Sequence, residues 1–445
     1  MQQDGPRLPA LCSMLLAGVL AAPACTSPSA LHPVTGTGGA SDSGGSGGHG
    51  SGGNGGGGAP GSGGMVDSGM VFDGTFCSLG TPVPNAKLPS GFCARLYTKL
   101  AEPRTLALAP NGDIFVGAPS DSPPGGASGG PGAIVVLSDD NHDGIAEQST
   151  FLSDGNNVHG LAIGGGYLYF TRGDFQMGAT MVGADVWRTP YTTGQRKEVG
   201  PREALHLPTS FGDGGRWTHG LARSPVGGQV IVSRGEYGSC GNSMGGEISR
   251  VETGGALTTL AAAFRNPMYL RCHFTDEVCA ATELGEDLAT GAVEKFLIVK
   301  MGTNYGYPCC FDRNMPSSSA DATQCAAVTP EEASFPLSQT PFGFDWERGL
   351  WPEPYRNGIF VALHGSAYSN PPWEGARVVF APASSTTHAP MGDWRAFMDG
   401  FANYNGDLLK RPSDIVFSPD GRMFIADDEG GLIYWVAPTS LPAPQ

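Results

Sequence analysis

The apolar residues of this chain come in short runs, and the runs are punctuated by turn residues. The clearest stretch is Arg411 to Val436, RPSDIVFSPDGRMFIADDEGGLIYWV. Ile415, Val416 and Phe417 are an apolar β run. Pro419, Asp420 and Gly421 then carry turn chemistry: Pro fixes φ, Asp bonds its own backbone, and Gly tolerates a positive φ. Met423, Phe424 and Ile425 rebuild the run, Asp427 and Asp428 end it, and Leu432 to Val436 form the next strand. The segment reads as a three-stranded meander.

The same cadence recurs upstream. Arg104 to Val116 has a strand, a Pro-Asn-Gly turn and a strand, and Val158 to Phe170 repeats it around a Gly turn. His219 to Val232 is a further copy, and Asn266 to Thr282 and Phe342 to His364 are degenerate ones. With the last stretch these make six units at intervals of roughly fifty to eighty residues, the spacing of propeller blades with insertions. Nothing of helical period competes with them. The fold expected is all-β, a six-bladed propeller of four-stranded antiparallel blades, with a β-sandwich as the alternative.

The first seventy or so residues read differently. Leu8 to Ala24 is apolar but short for a membrane span. It ends Ala22-Pro-Ala24-Cys25, a signal-peptidase pattern followed by a Cys that resembles a lipobox. From Thr35 to about Gly69 the chain is Gly and Ser with almost no apolar side chain, a composition that stays a flexible coil. The expected organisation is a signal peptide over 1–24, a disordered linker over 25–71 and a propeller over 72–440. Such a protein would be exported and lipid-anchored through Cys25, or else simply secreted.

Cysteine usage agrees with export. Ten Cys occur, and setting aside Cys12 and Cys25 leaves eight. Proximity suggests Cys77 with Cys93, Cys272 with Cys279 and Cys310 with Cys325, which leaves Cys240 for Cys309. A thiolate metal site lacks any CxxC pair. The charge balance, 42 acidic against 26 basic residues, argues against nucleic acid as a partner and against a membrane contact other than an anchor.

Cys77 to Leu100 is expected to lead in and cover the first blade. Asp139 to Gly144 has the Asp-x-Asn-x-Asp-Gly spacing of half a calcium loop, but Thr150 stands where the bidentate Glu belongs, so a polar turn is the preferred reading. Functional residues of propellers gather where the first strand of each blade meets the channel. His159, the Arg216-Trp-Thr-His219 cluster, Arg265 with Asn266, His364 and Arg411 all stand at such positions. Convergent bases point to an anionic ligand.

Between about Glu102 and Val436 the chain resembles the glucose/sorbosone dehydrogenase family. The matching stretches are Phe264-Arg-Asn-Pro267, Glu283-Leu-Gly-Glu-Asp287, Gly302 to Pro308, Tyr355 to Ser366 and Arg411-Pro-Ser-Asp414. The resemblance implies a six-bladed propeller that binds pyrroloquinoline quinone and calcium and passes hydride from a sugar or aldose to the quinone, with an external electron acceptor. By the same resemblance Arg265 and Asn266 would face the reacting carbonyl. Gly285, Glu286 and Asp287 would serve the calcium ion. Arg411, Asp414, Arg216, His364, Ser366 and Tyr305 would line the cofactor. The family's base segment typically reads His-Trp-Thr-Arg, whereas Arg216 holds the base position here, and Arg cannot accept a proton near neutral pH. His219 or His159 would then replace the base. Leu284, Val293, Phe296, Ala367 and Ser369 also stand where the family carries other residues. Two other functions are weighed beside the dehydrogenase: a propeller without turnover that binds a carbohydrate or protein at the cell surface, and a calcium-dependent lactonase.

Overall fold

The computed structural model describes residues 74–118, 133–153, 158–174, 182–206, 215–216, 220–236, 238–242, 246–286, 291–313, 315–366, 375–401 and 409–443. The expected signal peptide and nearly all of the linker, with Cys25, lie outside these residues. No helix among the described residues is long and apolar enough to cross a membrane.

Six blade sheets are arranged in chain order, antiparallel except where Thr303–Asn304 adds in parallel to Leu257–Phe264 in the third, and each begins at one of the repeats read from the sequence. Their innermost strands are Thr105–Leu108, Leu161–Gly164, Leu221–Arg223, Pro267–Cys272, Pro341–Trp346 and Pro412–Phe417. Each touches the next and the last touches the first, so the ring is closed. This is a six-bladed propeller. Blades alternate two-faced buried strands near the axis with half-exposed strands at the rim. Met423–Asp427 and Leu432–Pro438 of blade 6 are buried throughout, while the outer strand Glu147–Leu152 of blade 1 is exposed for half its length. The apolar side chains of each blade's inner strands fill the space between it and its neighbours, which is why those runs read as continuous rather than alternating.

The lead-in segment packs on the first blade, with Tyr97 against Leu106, Ile114 and Val116 and the Ala146 amide donating to Tyr97 O, but its strand belongs to the last blade. Phe92–Lys99 pairs antiparallel with Leu432–Pro438 and becomes the outer strand of blade 6. The ring is therefore closed by joining the two ends of the propeller in one sheet, and the disulfide Cys77–Cys93 staples that strand. The other disulfides are Cys240–Cys309, Cys272–Cys279 and Cys310–Cys325, the pairing expected from the sequence.

Between the innermost strands lies a cavity of about 320 Å³, lined among others by Thr105, His159, Leu221, Tyr269, Arg271 and Asp345. Arg271 crosses it. Its guanidinium donates to Phe344 O and to both oxygens of Asp414, at 3.0 and 3.2 Å. Asp414 is fully buried and also accepts from the amides of Leu106 at 2.7 Å and Ile415 at 2.8 Å. Burial pushes its carboxyl up to about 6, against the pull of Arg271. Gly343 leaves room for this carboxylate, since a Cβ there would lie 1.9 Å from Asp414 Oδ1.

Candidate functional site

The innermost strands all start on the same face, so the residues just before them form one rim. Second strands end on that face as well, which brings Glu283–Glu286, His364–Ser366 and Asp428–Glu429 to the same place. The described rim holds the guanidinium groups of Arg104, Arg265 and Arg411 and the imidazole of His364.

Asp428 ties much of this rim together. It is buried, 3.0 Å from Arg104 Nη1 and 2.9 Å from His364 Nε2. His364 stacks on Phe342 with ring centroids 4.1 Å apart, and Arg104 lies over the other side of the network, 5.7 Å from the same ring. Burial opposes the Asp428 charge, but Arg104 and His364 overcome it and hold the carboxyl well below its ordinary range. Burial pushes the His364 imidazole down to about 4, although Asp428 favours its charged form. The pair is therefore a neutral imidazole on an ionised carboxylate. An ionised carboxylate only accepts, so the ring proton stands on Nε2 and the lone pair on Nδ1.

Arg411 donates to the carbonyls of His364 and Gly365, and the Glu429 carboxylate lies 3.7 Å from it. Its own backbone is fixed by Asp427, which accepts from the amides of Lys410, Arg411 and Gly430 at 2.7 to 2.9 Å. Burial pushes Asp427 up to about 7. The strand residues before His364 end in a second backbone clasp: His364, Gly365 and Ser366 donate to the carbonyls of Thr340, Gln339 and Ser338.

Arg265 and Asn266 are both buried at the head of the blade 4 inner strand. The Arg265 amide donates to Glu283 Oε1 at 2.8 Å and its Nε to Glu286 at 3.2 Å, while the Leu284 amide donates to Asn266 O. Gly285 and Glu286 thus stand beside Arg265. A Cβ at Gly285 would lie 2.3 Å from Val293 O, so the turn closes only over glycine. His159 is buried and lines the channel at the head of blade 2. The backbone of Arg216 pairs with Gly235 at the edge of blade 3.

Two residues assigned to the cofactor shell turn inward instead. Asp414 lies in the channel wall with its oxygens committed to Arg271 and two amides. Tyr305 is packed in the blade 3 core against Phe264, 4.9 Å between centroids, next to the outermost strand Thr303–Asn304, with its hydroxyl donating to Ile298 O. Neither reaches the rim. His219 and Asp287 lie outside the described residues. The unexpected Phe296 is core, against Phe344 and Trp394, and Glu294 accepts from the Thr340 amide. The half-calcium pattern at Asp139–Gly144 is a polar turn: Asp139 accepts from the Gly144 amide and faces Arg422, and Asp140 pairs with Arg196. The residue that sequence reasoning missed is Asp428, which had looked only like the end of a strand. An acidic pair at that end, one blade away from two basic rim residues, is the signal that was present.

Comparison with protein-family models gives no match, and comparison with curated proteins gives none. Solved structures share the fold. The iodide structure of a Trichoderma reesei protein of carbohydrate-active enzyme family AA12 is 18% identical with a TM-score of 0.61, over 81% of this chain and 99% of that one. The holo pyranose dehydrogenase PQQ domain from Coprinopsis cinerea is 18% identical with a TM-score of 0.59, over 80% and 98%. The apo soluble aldose sugar dehydrogenase from Escherichia coli is 15% identical with a TM-score of 0.52, over 78% and 99%.

Proposed function

We propose that this propeller is a quinone-dependent dehydrogenase of sugars or aldoses, with its site on the rim around Asp428. The observation that carries the reading is the convergence of Arg104, Arg265 and Arg411 with a neutral His364 on an ionised Asp428, on one face of a fold shared with a pyranose dehydrogenase PQQ domain and an aldose sugar dehydrogenase.

The rim suits a planar polyanion such as pyrroloquinoline quinone. Arg104 has a buried Nε without a hydrogen-bond partner, and Arg411 is held by carbonyls, with the Glu429 carboxylate 3.7 Å away. These two cations would hold carboxylates, and Gly285 and Glu286 would supply oxygens for calcium. When bound, the quinone supplies a two-electron acceptor for hydride. The protein's own part is to bind, orient and take a proton. His364 is neutral and fixed by Asp428, so it accepts the substrate's hydroxyl proton at Nδ1, and Arg265 stabilises developing negative charge. His219 is the second candidate for the base.

A propeller that binds a carbohydrate without turnover is the second reading. It is favoured by the internal partner that each of the three rim guanidinium groups already has. Titration of the full-length chain with pyrroloquinoline quinone, with and without calcium, separates the two. Saturable, calcium-dependent binding that Arg411→Ala weakens at least tenfold, followed by dye reduction with an aldose, supports the dehydrogenase. Absence of binding removes it.

The same reading makes the protein exported and held at a membrane through Cys25. The four disulfides support an oxidising compartment. Mass spectrometry of the mature N-terminus tests the anchor: an unmodified Cys25 would leave plain secretion.

A further inference from the structure

The innermost strands run from the rim to the opposite, far face, where they end in turns. The channel opens there between Pro110, Pro225 and Pro419, which stand exposed on the turns of blades 1, 3 and 6. Just inside this mouth the cavity is lined by Arg223, Arg271 and Arg348, from blades 3, 4 and 5. The blade 4 turn, residues 273–278, brings Phe274 to the mouth. His273 lies outside the cavity, its ring stacked 3.6 Å from that of His388, and both imidazoles face Asp276.

The three guanidinium groups are unequally compensated. Arg271 gives Nη2 to Asp414 and Nε to Phe344 O. Arg348 donates Nε to Phe417 O, lies over the Phe274 ring at 4.6 Å and stands 4.0 Å from Asp345 Oδ2. That oxygen already accepts from the Phe417 amide at 2.8 Å, and Oδ1 accepts from the Trp346 amide at 2.9 Å. Arg223 has less. Its Nη1 is 3.5 Å from Ser224 O, its Nε is buried without a hydrogen-bond partner, and among the described residues no carboxylate pairs with it. Glu277, on the next hairpin, reaches Gly227 instead: its Oε1 is 3.0 Å from where a Cβ there would stand.

We propose that this far mouth of the channel binds a small oxyanion, a carboxylate or phosphate-type group, held by Arg223 and Arg348.

Charge decides the sign of the ligand. Three guanidinium groups meet two carboxylates here, Asp345 and Asp414, in a chain whose formal net charge is −16. The surplus cation is Arg223. A half-buried charge with one long carbonyl contact is stabilised by an anion that reaches its outer nitrogens. A guanidinium also presents paired N–H donors that match the oxygens of a carboxylate or phosphate.

The fold holds the Arg223 head group in place. It lies against the far turns of blades 2 and 3, where Gly164, Gly165 and Gly228 leave it room. A Cβ at Gly165 would stand 3.1 Å from Nη2, and one at Gly228 2.6 Å from the same nitrogen. A side chain at either place would push the guanidinium out of position, so the turns are shaped around it. Size follows from the cavity, about 320 Å³ with Ile163, Ala222, Leu270 and Val416 in its wall. That is the low end of small-molecule sites, so the ligand is an inorganic oxyanion or a compact organic acid rather than an oligosaccharide. What the rim binds does not enter this inference.

The test uses the full-length chain dialysed into chloride buffer. Inorganic phosphate, sulfate, acetate and gluconate are each titrated by calorimetry at fixed ionic strength, with added chloride as the control. The expected result is one saturable site for at least one of them, weakened roughly tenfold or more by Arg223→Gln and by Arg348→Gln. Arg411→Ala, which alters only the rim, should leave that site unchanged. Arg223→Lys keeps the charge and loses the fork, so its loss should fall in between. Preference for phosphate and sulfate would assign a phosphate-type ligand, and preference for acetate or gluconate a carboxylate. Should Arg223→Gln fail to fold, Arg223→Lys and Arg348→Gln decide by the same loss. No saturable binding, binding that chloride matches, binding that persists in folded Arg223→Gln, or binding lost in Arg411→Ala instead would overturn the proposal and leave Arg223 a strut between two turns.

Discussion

The two faces of this propeller handle charge in opposite ways. On the rim, cations outnumber imidazoles, and each described guanidinium is answered by a carboxylate or a carbonyl, with Asp428 shared between Arg104 and His364. On the far face two imidazoles share one half-exposed carboxylate, and the guanidinium of Arg348 lies over the Phe274 ring. The first arrangement suits an anion that displaces weak internal partners. The second is a stacked pair of rings that meets its carboxylate at the edge of solvent. The same geometric device, loops gathered at the ends of blade strands, gives opposite chemistry because different residue types are placed there.

The largest expected effect comes from breaking the rim. Asp428→Asn leaves the Arg104 charge buried without its partner and should cost about 3–5 kcal/mol of stability, read by urea denaturation. It should also abolish quinone binding, because Arg104 and His364 lose their orientation. A loss below about 1 kcal/mol would mean that water compensates both groups.

Removing the Cys272–Cys279 disulfide as a double Ser variant attacks the far face. Its sequence separation is 7, so the chain-entropy cost is small, roughly 2 kcal/mol. The sharper readout is quinone binding, which should stay as in the parent. A fall in quinone binding would show that the faces are coupled through the blade 4 strand.

The next effect is a pH dependence. His364 titrates at about 4 in the fold and near 6.5 unfolded, so the unfolded chain binds a proton that the fold refuses. Its contribution is present above pH 6.5 and lost as pH falls toward 4, at up to about 1.4 kcal/mol per unit. Asp427, raised to about 7 from an unfolded value near 3.9, has the opposite sign: its contribution is present below about pH 4 and lost as pH rises through 7. The two oppose each other between about pH 4 and 6.5. His364→Gln should uncover the Asp427 slope, making the variant lose stability relative to the parent as pH rises from 4.5 to 6.5. Parallel pH profiles would sink this assignment.

The smallest effect on stability is expected at Glu429. It is 42% exposed and 3.7 Å from Arg411, so Glu429→Gln should change stability by less than about 1 kcal/mol. It should nevertheless tighten quinone binding a few-fold, since Arg411 loses a competing carboxylate. Unchanged affinity would place Arg411 outside the binding surface.

The blades were legible because each carries its own instructions. Strand, turn and strand follow one another within a few residues, as at Ile415 to Ile425, and local turn chemistry with an apolar run is enough to specify a hairpin. Disulfide partners close in sequence, such as Cys272 and Cys279, were legible for the same reason. The closing strand was not. Phe92–Lys99 has nothing in its own pattern that selects Leu432–Pro438 as its partner, since that choice depends on how much rotation the intervening blades add up to.

The site divides along the same line. Arg265, Asn266 and Arg411 stand at strand heads and His364 just past a strand end, positions that local pattern reveals. Asp414 shares that position in sequence, yet the tertiary structure turns it into the channel wall because Arg271 and Gly343 meet it there from two other blades. Asp428 became central, and His273, Asp276 and His388 became one cluster, only through contacts between residues 64 to 324 or 112 to 115 positions apart. Local chain chemistry specifies hairpins and marks their ends. Which ends meet, and so which charges and lone pairs face one another, is decided by the closure of the ring.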